Sequence, residues 1–233
     1  MSSTKKIVVP GEELPPEVQV REREHDYVYE EQGKKYAAVI GILEKKGDTY
    51  YFIPLQSIYV PKPGDFVIGL VVSIGIMNWY VDINSPYTAI LTVSDLLGRP
   101  FDPQRDDLSR YLPIGSYIKA KVAAFDKTRN PLLTISDEGL GIIRNGVVVE
   151  IDPAKIPRVI GKKGSMLQVL KESTGCEVTA AVNGRVHISC PNPEMEPILV
   201  LAIKMIEEKA HMRGLTDKVK SYIEELKIVR GVR

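Results

Sequence analysis

The alternation of apolar and polar positions predicts a chain that is mainly β over its first 140 residues. Between residues 7 and 59, short runs of β-branched and aromatic side chains flank turns at Glu31–Gly33 and Lys45–Asp48. The runs at 27–30, 35–43 and 49–54 are typical of strands in a meander. We therefore predict a small N-terminal β domain over residues 1–60.

Five further strand-like runs follow before residue 140. They are Phe66–Ile74, Trp79–Ile83, Ala89–Val93, Tyr117–Phe125 and Leu132–Ser136. One long irregular excursion, from Ser94 to Ile114, separates the third run from the fourth. Five short strands with a single long connection are typical of a five-stranded Greek-key barrel of the OB type. We assign this barrel to residues 61–139.

The pattern changes after residue 145 to strand, helix, helix, strand, strand, helix. Asn183-Gly184 separates two alternating runs and is a strong hairpin signal. Apolar residues from Met195 to Ile206 recur at three- and four-residue steps, which predicts one helix face. We expect an α+β domain over 146–212 and a C-terminal helix over 213–233. The predicted fold class is thus multidomain, mainly β and then α+β.

Composition narrows the class of protein. The 233 residues are 44% hydrophobic and 26% charged, a globular mixture. No apolar run reaches the roughly 18 residues that a membrane helix needs, and the first ten residues lack a secretory pattern. We expect a cytoplasmic protein with no membrane partner. Cys176 and Cys190 are the only cysteines, and we expect them to pack as small apolar groups rather than to form a disulfide framework.

The net charge of +1 conceals an uneven distribution. Residues 152–233 carry 14 basic and 10 acidic side chains, whereas the rest of the chain is slightly acidic. A polyanion would therefore favour the last third of the chain.

The segment Gly161-Lys162-Lys163-Gly164 lies where one predicted helix ends and another begins. Glycine tolerates the backbone angles of such a corner, and without Cβ atoms it lets a sugar–phosphate chain approach closely. The amides at the start of the second helix favour anions, and the two lysines add positive charge. The corner therefore predicts contact with a nucleic-acid backbone, although a plain helix–helix turn would have the same spacing.

With Val159 to Leu167 as its signature, the segment 146–212 resembles a type I KH domain. That family clamps about four single-stranded nucleotides. The resemblance implies that Gly161, Lys162, Lys163 and Gly164 face the RNA backbone. It also implies that Ile160, Leu167 and Val178 form the apolar side of the base groove, although core packing would explain the same three residues.

The predicted barrel resembles the RNA-binding domain named after ribosomal protein S-one. The match rests on Gly69, Val71, Ile74 and Val81-Asp82-Ile83. The family usually carries two aromatic residues around a glycine on its second strand and a histidine on its third. Here Met77, Asn78 and Thr92 replace three of these positions, so the stacking platform is thinner. Tyr80 keeps the second aromatic position and is our predicted stacker, with Trp79 facing the core.

Cationic side chains near the barrel are candidates for phosphate contact. On the fourth strand and just after it these are Lys119, Lys121, Lys127 and Arg129, and in the long excursion they are Arg99, Arg105 and Arg110. Lysine and arginine track phosphates in single-strand grooves. A solvated surface with local ion pairs explains the same residues, because aspartates are interleaved with the three arginines.

No pattern predicts catalysis. The histidines are His25, His187 and His211, and none has a cysteine or carboxylate at metal-ligand spacing. His187 alternates with Arg185 and Ser189, opposite apolar neighbours, so we expect it to face solvent. We predict no catalytic residue, no metal and no cofactor.

The order of the three domains, with Ile7–Glu12 and Tyr36–Gly41, resembles the RNA-binding cap subunit of the archaeal exosome, the Rrp-four type. The resemblance implies a non-catalytic subunit that recruits single-stranded RNA 3′ ends for 3′-to-5′ degradation or tailing. Its partners would be RNase-PH-like ring subunits, with three caps per hexameric ring. The N-terminal domain would anchor the subunit to the ring, and the barrel would line the entry pore.

Three alternatives remain open from the residues. A Nus-A-like transcription elongation or termination factor also places an S-one barrel before KH units, but normally two of them. An RNA-degrading enzyme such as polynucleotide phosphorylase carries both modules in the opposite order, behind large catalytic domains. A purely structural assembly subunit would also explain the thinned stacking platform.

Overall fold

A computed structural model describes residues 5–19, 27–98, 102, 107–210, 212 and 214–231. The chain forms two compact units, residues 1–57 and residues 58–233.

The first unit is built from two small sheets. Its strands are β1 Lys5–Val8, β2 Glu13–Leu14, β3 Val18–Gln19, β4 Val28–Glu31, β5 Lys34–Ala37, β6 Gly41–Lys46 and β7 Thr49–Pro54. One sheet has the order β1-β6-β7-β3 and the other β2-β5-β4. The buried residues Val8, Leu14, Val18, Ala37 and Phe52 form its core. The unit is all-β, as its pattern predicts.

One predicted strand of this unit is wrong in extent. The run 35–43 is not continuous, because β5 ends at Ala37 in one sheet and β6 begins at Gly41 in the other. A Cβ on Gly41 would lie 2.5 Å from the Phe52 ring. The ring can therefore pack against the backbone of β6 only because residue 41 is glycine. The apolar run conceals the corner, since Ala37 before it and Leu43 after it both pack in the core.

In the second unit, a closed barrel comes first. Its elements are β8 Phe66–Ile74, β9 Asn78–Asp82, β10 Thr88–Thr92, α1 Val93–Leu97, α2 Leu108–Tyr111, β11 Tyr117–Ala124, β12 Leu132–Thr134 and β13 Gly141–Ile142. The order β12-β10-β9-β8-β11 closes through a β12–β11 pairing, and β13 adds to β11. The pair β10–β12 is parallel and the other barrel pairs are antiparallel. The five-stranded OB barrel is confirmed.

Alternation along these strands fills the barrel. On β11, for example, Ile118, Ala120 and Val122 are buried, whereas Lys119 and Lys121 are partly exposed. A Cβ on Gly69 of β8 would come within 2.3 Å of Val81 Cγ1 on β9. The Val81 side chain can therefore pack against β8 only because residue 69 has no side chain.

The KH-like part follows in the predicted order. Its elements are β14 Val147–Glu150, α3 Ile156–Ile160, α4 Ser165–Thr174, β15 Glu177–Ala180, β16 Arg185–Ser189, α5 Met195–Glu208 and α6 Leu215–Arg230. The sheet is antiparallel with the order β14-β16-β15. One face of the sheet packs with the helices in a common core, to which α6 adds Leu215, Val219 and Ile223. Among the described helices, none is long and apolar enough to cross a membrane.

Candidate nucleic-acid interface

The glycine-bracketed corner joins α3 to α4 through a single 3-10 turn, Lys162–Gly164. Gly161 has φ 75° and ψ 172°, a conformation essentially restricted to glycine. A Cβ on Gly161 would lie 2.6 Å from the Met166 amide nitrogen, whereas one on Gly164 would meet open space. Gly161 is therefore required both by its backbone angles and by the close approach of α4.

Positive charge at this corner is exposed. Lys162 and Lys163 are both solvent-exposed, and the described residues provide neither with an ion pair. Lys163 itself has a positive φ of 54°, so the turn carries strain at a non-glycine residue. Both lysines immediately precede the N-terminus of α4, where the helix dipole favours an anion. At Gly164 the space that a Cβ would occupy is open, whereas at Gly161 it is covered by Ser165 and Met166. The open side of the corner is therefore at Gly164 and the two lysines.

The three predicted groove residues differ in exposure. Ile160 and Leu167 are partly buried at the rim of the KH core. Val178, on β15, is only 3% exposed and belongs to the core itself. Ile160 and Leu167 therefore keep part of their surface exposed, whereas Val178 is enclosed in the core, and the groove role of all three remains a prediction.

The two aromatic residues of β9, Trp79 and Tyr80, lie on opposite faces of the strand. Trp79 is fully buried and donates from Nε1 to the Leu112 carbonyl at 3.0 Å. Tyr80 points the other way and is half-buried, as the alternation predicts. Met77, one of the departures from the S-one pattern, is 59% exposed beside this strand. Tyr80 is thus the partly exposed aromatic side chain of β9, and its stacking role remains a prediction.

The predicted barrel residues do not converge on one patch. Tyr80 of β9 pairs with Ser73 of β8, whereas Lys119 of β11 pairs with Ile68, five residues before Ser73 on the same strand. At the usual strand rise, the positions of Tyr80 and Lys119 are therefore about 17 Å apart along β8. Lys121 is engaged by Asp137 at 3.2 Å. Stacking on Tyr80 and phosphate contact at Lys119 would therefore need different nucleotides of one strand.

The remaining predicted cations lie on loops or short helices. Lys127 and Arg129 are exposed in a turn organised by Asp126, whose carboxylate accepts from the Thr128 and Arg129 amides. Arg110 is exposed in α2, and its Nε lies 3.5 Å from an Asp107 oxygen. Arg99 and Arg105 lie outside the described residues. The roles assigned to all these side chains remain predictions.

Sequence reasoning missed a polar joint between the barrel and the KH sheet. Asn183, in the β15–β16 turn, is fully buried. Its side-chain oxygen accepts from the Ile68 amide at 3.2 Å, and its Nδ2 donates to the carbonyls of Ile68 and Ile83 at 2.8 and 2.9 Å. The Asn-Gly pair signals a tight turn, and nothing in the local sequence signals that this turn inserts into another domain.

Arg185 completes the joint. Its guanidinium, 2% exposed, pairs with carboxylates of Asp82 on the barrel and Glu150 on β14. It also donates to the main-chain carbonyls of Ile68 and Asp82. Its central carbon lies 5.8 Å from the Tyr117 ring centroid. These bonds fix the KH hairpin on the barrel, so the barrel and the KH sheet are held together.

The expectation that His187 faces solvent is wrong. The same sheet face that carries Arg185 turns toward the barrel and the segment 139–145, and His187 is 7% exposed there. Its Nε2 lies 2.8 Å from the Asn145 carbonyl oxygen. Alternation correctly separates the two faces of β16, but it does not reveal that the polar face is covered by another domain.

The expectation for the cysteines is also wrong. Cys176, just before β15, and Cys190, just after β16, form a disulfide that closes the hairpin at the end opposite its turn. A spacing of 14 residues does not reveal the pairing, because antiparallel registration alone brings the two positions side by side. Among the described residues, no group of three or more His, Cys, Asp or Glu side chains is arranged to hold a metal ion.

Three family models match successive parts of the chain. The model described as the exosome RNA binding protein RRP4 N-terminal domain matches residues 5–56. The model described as the RRP4 S1 domain matches residues 58–105, and a KH domain model matches residues 146–194.

Full-length relatives and a solved structure are similar to the chain. A protein of Aeropyrum pernix described as exosome complex component Rrp4 is 56% identical over 97% of this chain and 96% of the relative. A protein of Ignisphaera aggregans with the same description is 42% identical over 99% of this chain and 94% of the relative. The crystal structure of a protein assigned as an exosome complex RNA-binding protein is 59% identical, with a TM-score of 0.72, over 75% of this chain and 99% of that one.

Proposed function

The chain belongs to the Rrp4 family of exosome complex components, and from that premise we propose that it is a non-catalytic subunit that captures single-stranded RNA. In this proposal it caps a ring of RNase-PH-like subunits, with three caps per hexameric ring, and delivers RNA 3′ ends for 3′-to-5′ degradation or tailing. The proposal includes a cytoplasmic location.

The observation that carries the proposal is the Gly161–Gly164 corner. Lys162 and Lys163 are exposed there, Gly164 leaves its Cα open, and the N-terminus of α4 follows directly. The partly exposed apolar residues Ile160 and Leu167 flank the corner. Each lysine–phosphate contact releases counterions, so RNA affinity should fall steeply with salt. Sequence preference should be modest, since backbone contacts and stacking do not distinguish bases strongly.

RNA capture is tested with a fluorescent poly(A) oligomer and the full chain. We expect Lys162→Asp/Lys163→Asp to weaken binding at least about tenfold, because it reverses charge at two phosphate contacts. Lys218→Asp/Lys220→Asp, which changes two exposed lysines of α6, is the matched control and should bind like the wild type. Equal affinity of the corner variant and the wild type would exclude the KH role.

Ring docking is proposed for the N-terminal unit. Ile7 and Val9, two residues apart on and just after β1, are 64% and 52% exposed, and protein interfaces bury such apolar surface. We expect Ile7→Asp/Val9→Asp to abolish co-elution with an RNase-PH-like ring. The control is Ile228→Asp/Val229→Asp, at a comparably exposed apolar pair of α6. Retained co-elution of the Ile7/Val9 variant would contradict docking through β1.

The alternatives are not favoured by the comparisons. The matched models place exosome-family domains on both sides of residue 57 and a single KH domain after them. A Nus-A-like factor would instead co-purify with RNA polymerase, so the identity of the proteins captured by the full chain distinguishes the two functions.

A further inference from the structure

A cleft of about 310 Å³ lies between the barrel and the polar face of the KH sheet. Lys119 of β11 forms one wall, the connecting segment 139–145 with Arg144 forms another, and His187 and Ser189 of β16 line the KH side. No acidic residue is among the described lining residues. The cleft therefore has a positive lining.

Lys119 is partly withdrawn from water at this cleft. Its Nζ lies 3.4 Å from the Thr179 hydroxyl of β15. Burial lowers the pKa of Lys119, and Glu177 offsets the shift in part. The Glu177 carboxylate, however, is bonded to Lys171 at 2.9 Å. The ammonium group of Lys119 is thus partly desolvated, and none of the ion pairs among the described residues involves it.

His187 faces the same cleft. A carbonyl oxygen only accepts hydrogen bonds, so Nε2 donates to Asn145, and a second proton would go to Nδ1. Burial lowers the pKa of His187; the Asn145 hydrogen bond and Glu196 oppose this shift, and the charge of Lys119 lowers the pKa further. Lys119 and protonated His187 therefore repel each other, and an anion between them would remove that repulsion.

We propose that this cleft, named here the joint cleft and lined by Lys119, Arg144, His187 and Ser189, binds a phosphate group, and that the ligand is a backbone phosphate of RNA. The inference rests on the proposed function. The volume suits a nucleotide rather than a lone phosphate. Lys119 at the cleft also contacts Thr179 of β15, the residue next to Val178 on that strand.

The first test measures binding of a fluorescent A-oligomer to full-length Lys119→Met/Arg144→Met across a salt series. We expect about tenfold weaker binding at 0.1 M salt and a salt slope smaller by about 1.4, the value for two phosphate contacts on a single strand. Lys218→Met/Lys220→Met is the matched control and should match the wild type. Fluorescence of Trp79, the only tryptophan, checks that the barrel of each variant is folded.

The results of this test distinguish RNA capture at the Gly161–Gly164 corner from phosphate binding in the joint cleft. If the wild type and the double variant bind equally while Lys162→Asp/Lys163→Asp binds weakly, the joint cleft is overturned and RNA capture stands. If the wild type does not bind the oligomer, both proposals are overturned.

The second test follows the imidazole resonances of His187 by NMR through a pH titration, assigned with His187→Gln. We expect the oligomer to raise the pKa of His187, and inorganic phosphate at the same phosphate concentration to raise it much less. An equal rise with both ligands would overturn RNA as the ligand, and no rise with either would overturn the cleft as a phosphate site.

Discussion

Arg185 of the KH hairpin and Asp82 of the barrel form an ion pair in which the guanidinium is 2% exposed and the carboxylate 40% exposed. Because the carboxylate still reaches water, the arginine bears most of the desolvation. Its hydrogen bonds to two main-chain carbonyls compensate for that cost.

Truncating Arg185 should destabilise this joint. We expect Arg185→Ala to lower the free energy of unfolding by about 3 kcal/mol, because it removes the ion pairs with Asp82 and Glu150 and the guanidinium hydrogen bonds to the Asp82 and Ile68 carbonyls. Arg185→Lys should recover part of the loss, since one ammonium cannot reach every acceptor of the planar fork. The measurement is urea unfolding followed by Trp79 fluorescence, with the exposed Arg230→Ala as control. A loss no larger than that of Arg230→Ala would show that the joint contributes little.

Replacing Asn183 by aspartate should make the free energy of unfolding depend on pH. In Asn183→Asp the new carboxyl group faces two carbonyl oxygens in a buried site, which raises its folded-state pKa above the unfolded value of about 3.9. The folded state then holds its proton to higher pH, so stability falls by up to about 1.4 kcal/mol per pH unit above the unfolded value. Asn183→Ala should be destabilised equally at all pH values. Denaturant unfolding from pH 4 to pH 8 gives the stability of both variants. If the stability of Asn183→Asp did not fall relative to Asn183→Ala as the pH rises, residue 183 would not be buried against the two carbonyls.

The disulfide should stabilise the KH hairpin. Joining residues 14 apart restricts the unfolded chain, which corresponds to about 3 kcal/mol in the loop-entropy description. We expect a reductant to lower the melting temperature of the wild type and to leave Cys176→Ser/Cys190→Ser unchanged. A wild-type melting temperature insensitive to a reductant that demonstrably opens the bond would contradict a stabilising role.

Alanine substitution at Gly161 and at Gly164 should lower the free energy of unfolding by different amounts. Gly164→Ala places a Cβ in open space and costs about 1 kcal/mol from its positive φ alone. Gly161→Ala adds a clash with the Met166 amide and should cost at least about 2 kcal/mol more. Denaturant unfolding of both variants gives the comparison. Equal losses would mean that the α3–α4 corner relaxes around the extra methyl group.

Tyr80 provides a test of stacking on the barrel. We expect Tyr80→Leu to weaken binding of an A-oligomer by about 1–3 kcal/mol, the usual contribution of one base–aromatic stack. Tyr80→Phe keeps the ring and should bind like the wild type. If both variants bind alike, base stacking on β9 does not contribute to affinity.

Local signals in the sequence were sufficient for the order of elements, the closed barrel, the KH arrangement and the family. Alternation along β11, the helical spacing in α5 and the Gly161–Gly164 corner each depend on residues close together in the chain. Such short-range preferences act in every context, so they can be recognised before the fold is known.

Tertiary structure alone decided which polar residues are buried. Asn183 contacts residues about 100 positions away, His187 is covered by a connecting segment, and the disulfide depends on hairpin registration. Local alternation assigns a side chain to a face of its strand, but what covers that face is set by elements distant in the chain. The joint between the barrel and the KH sheet could therefore not be predicted from the residues that form it.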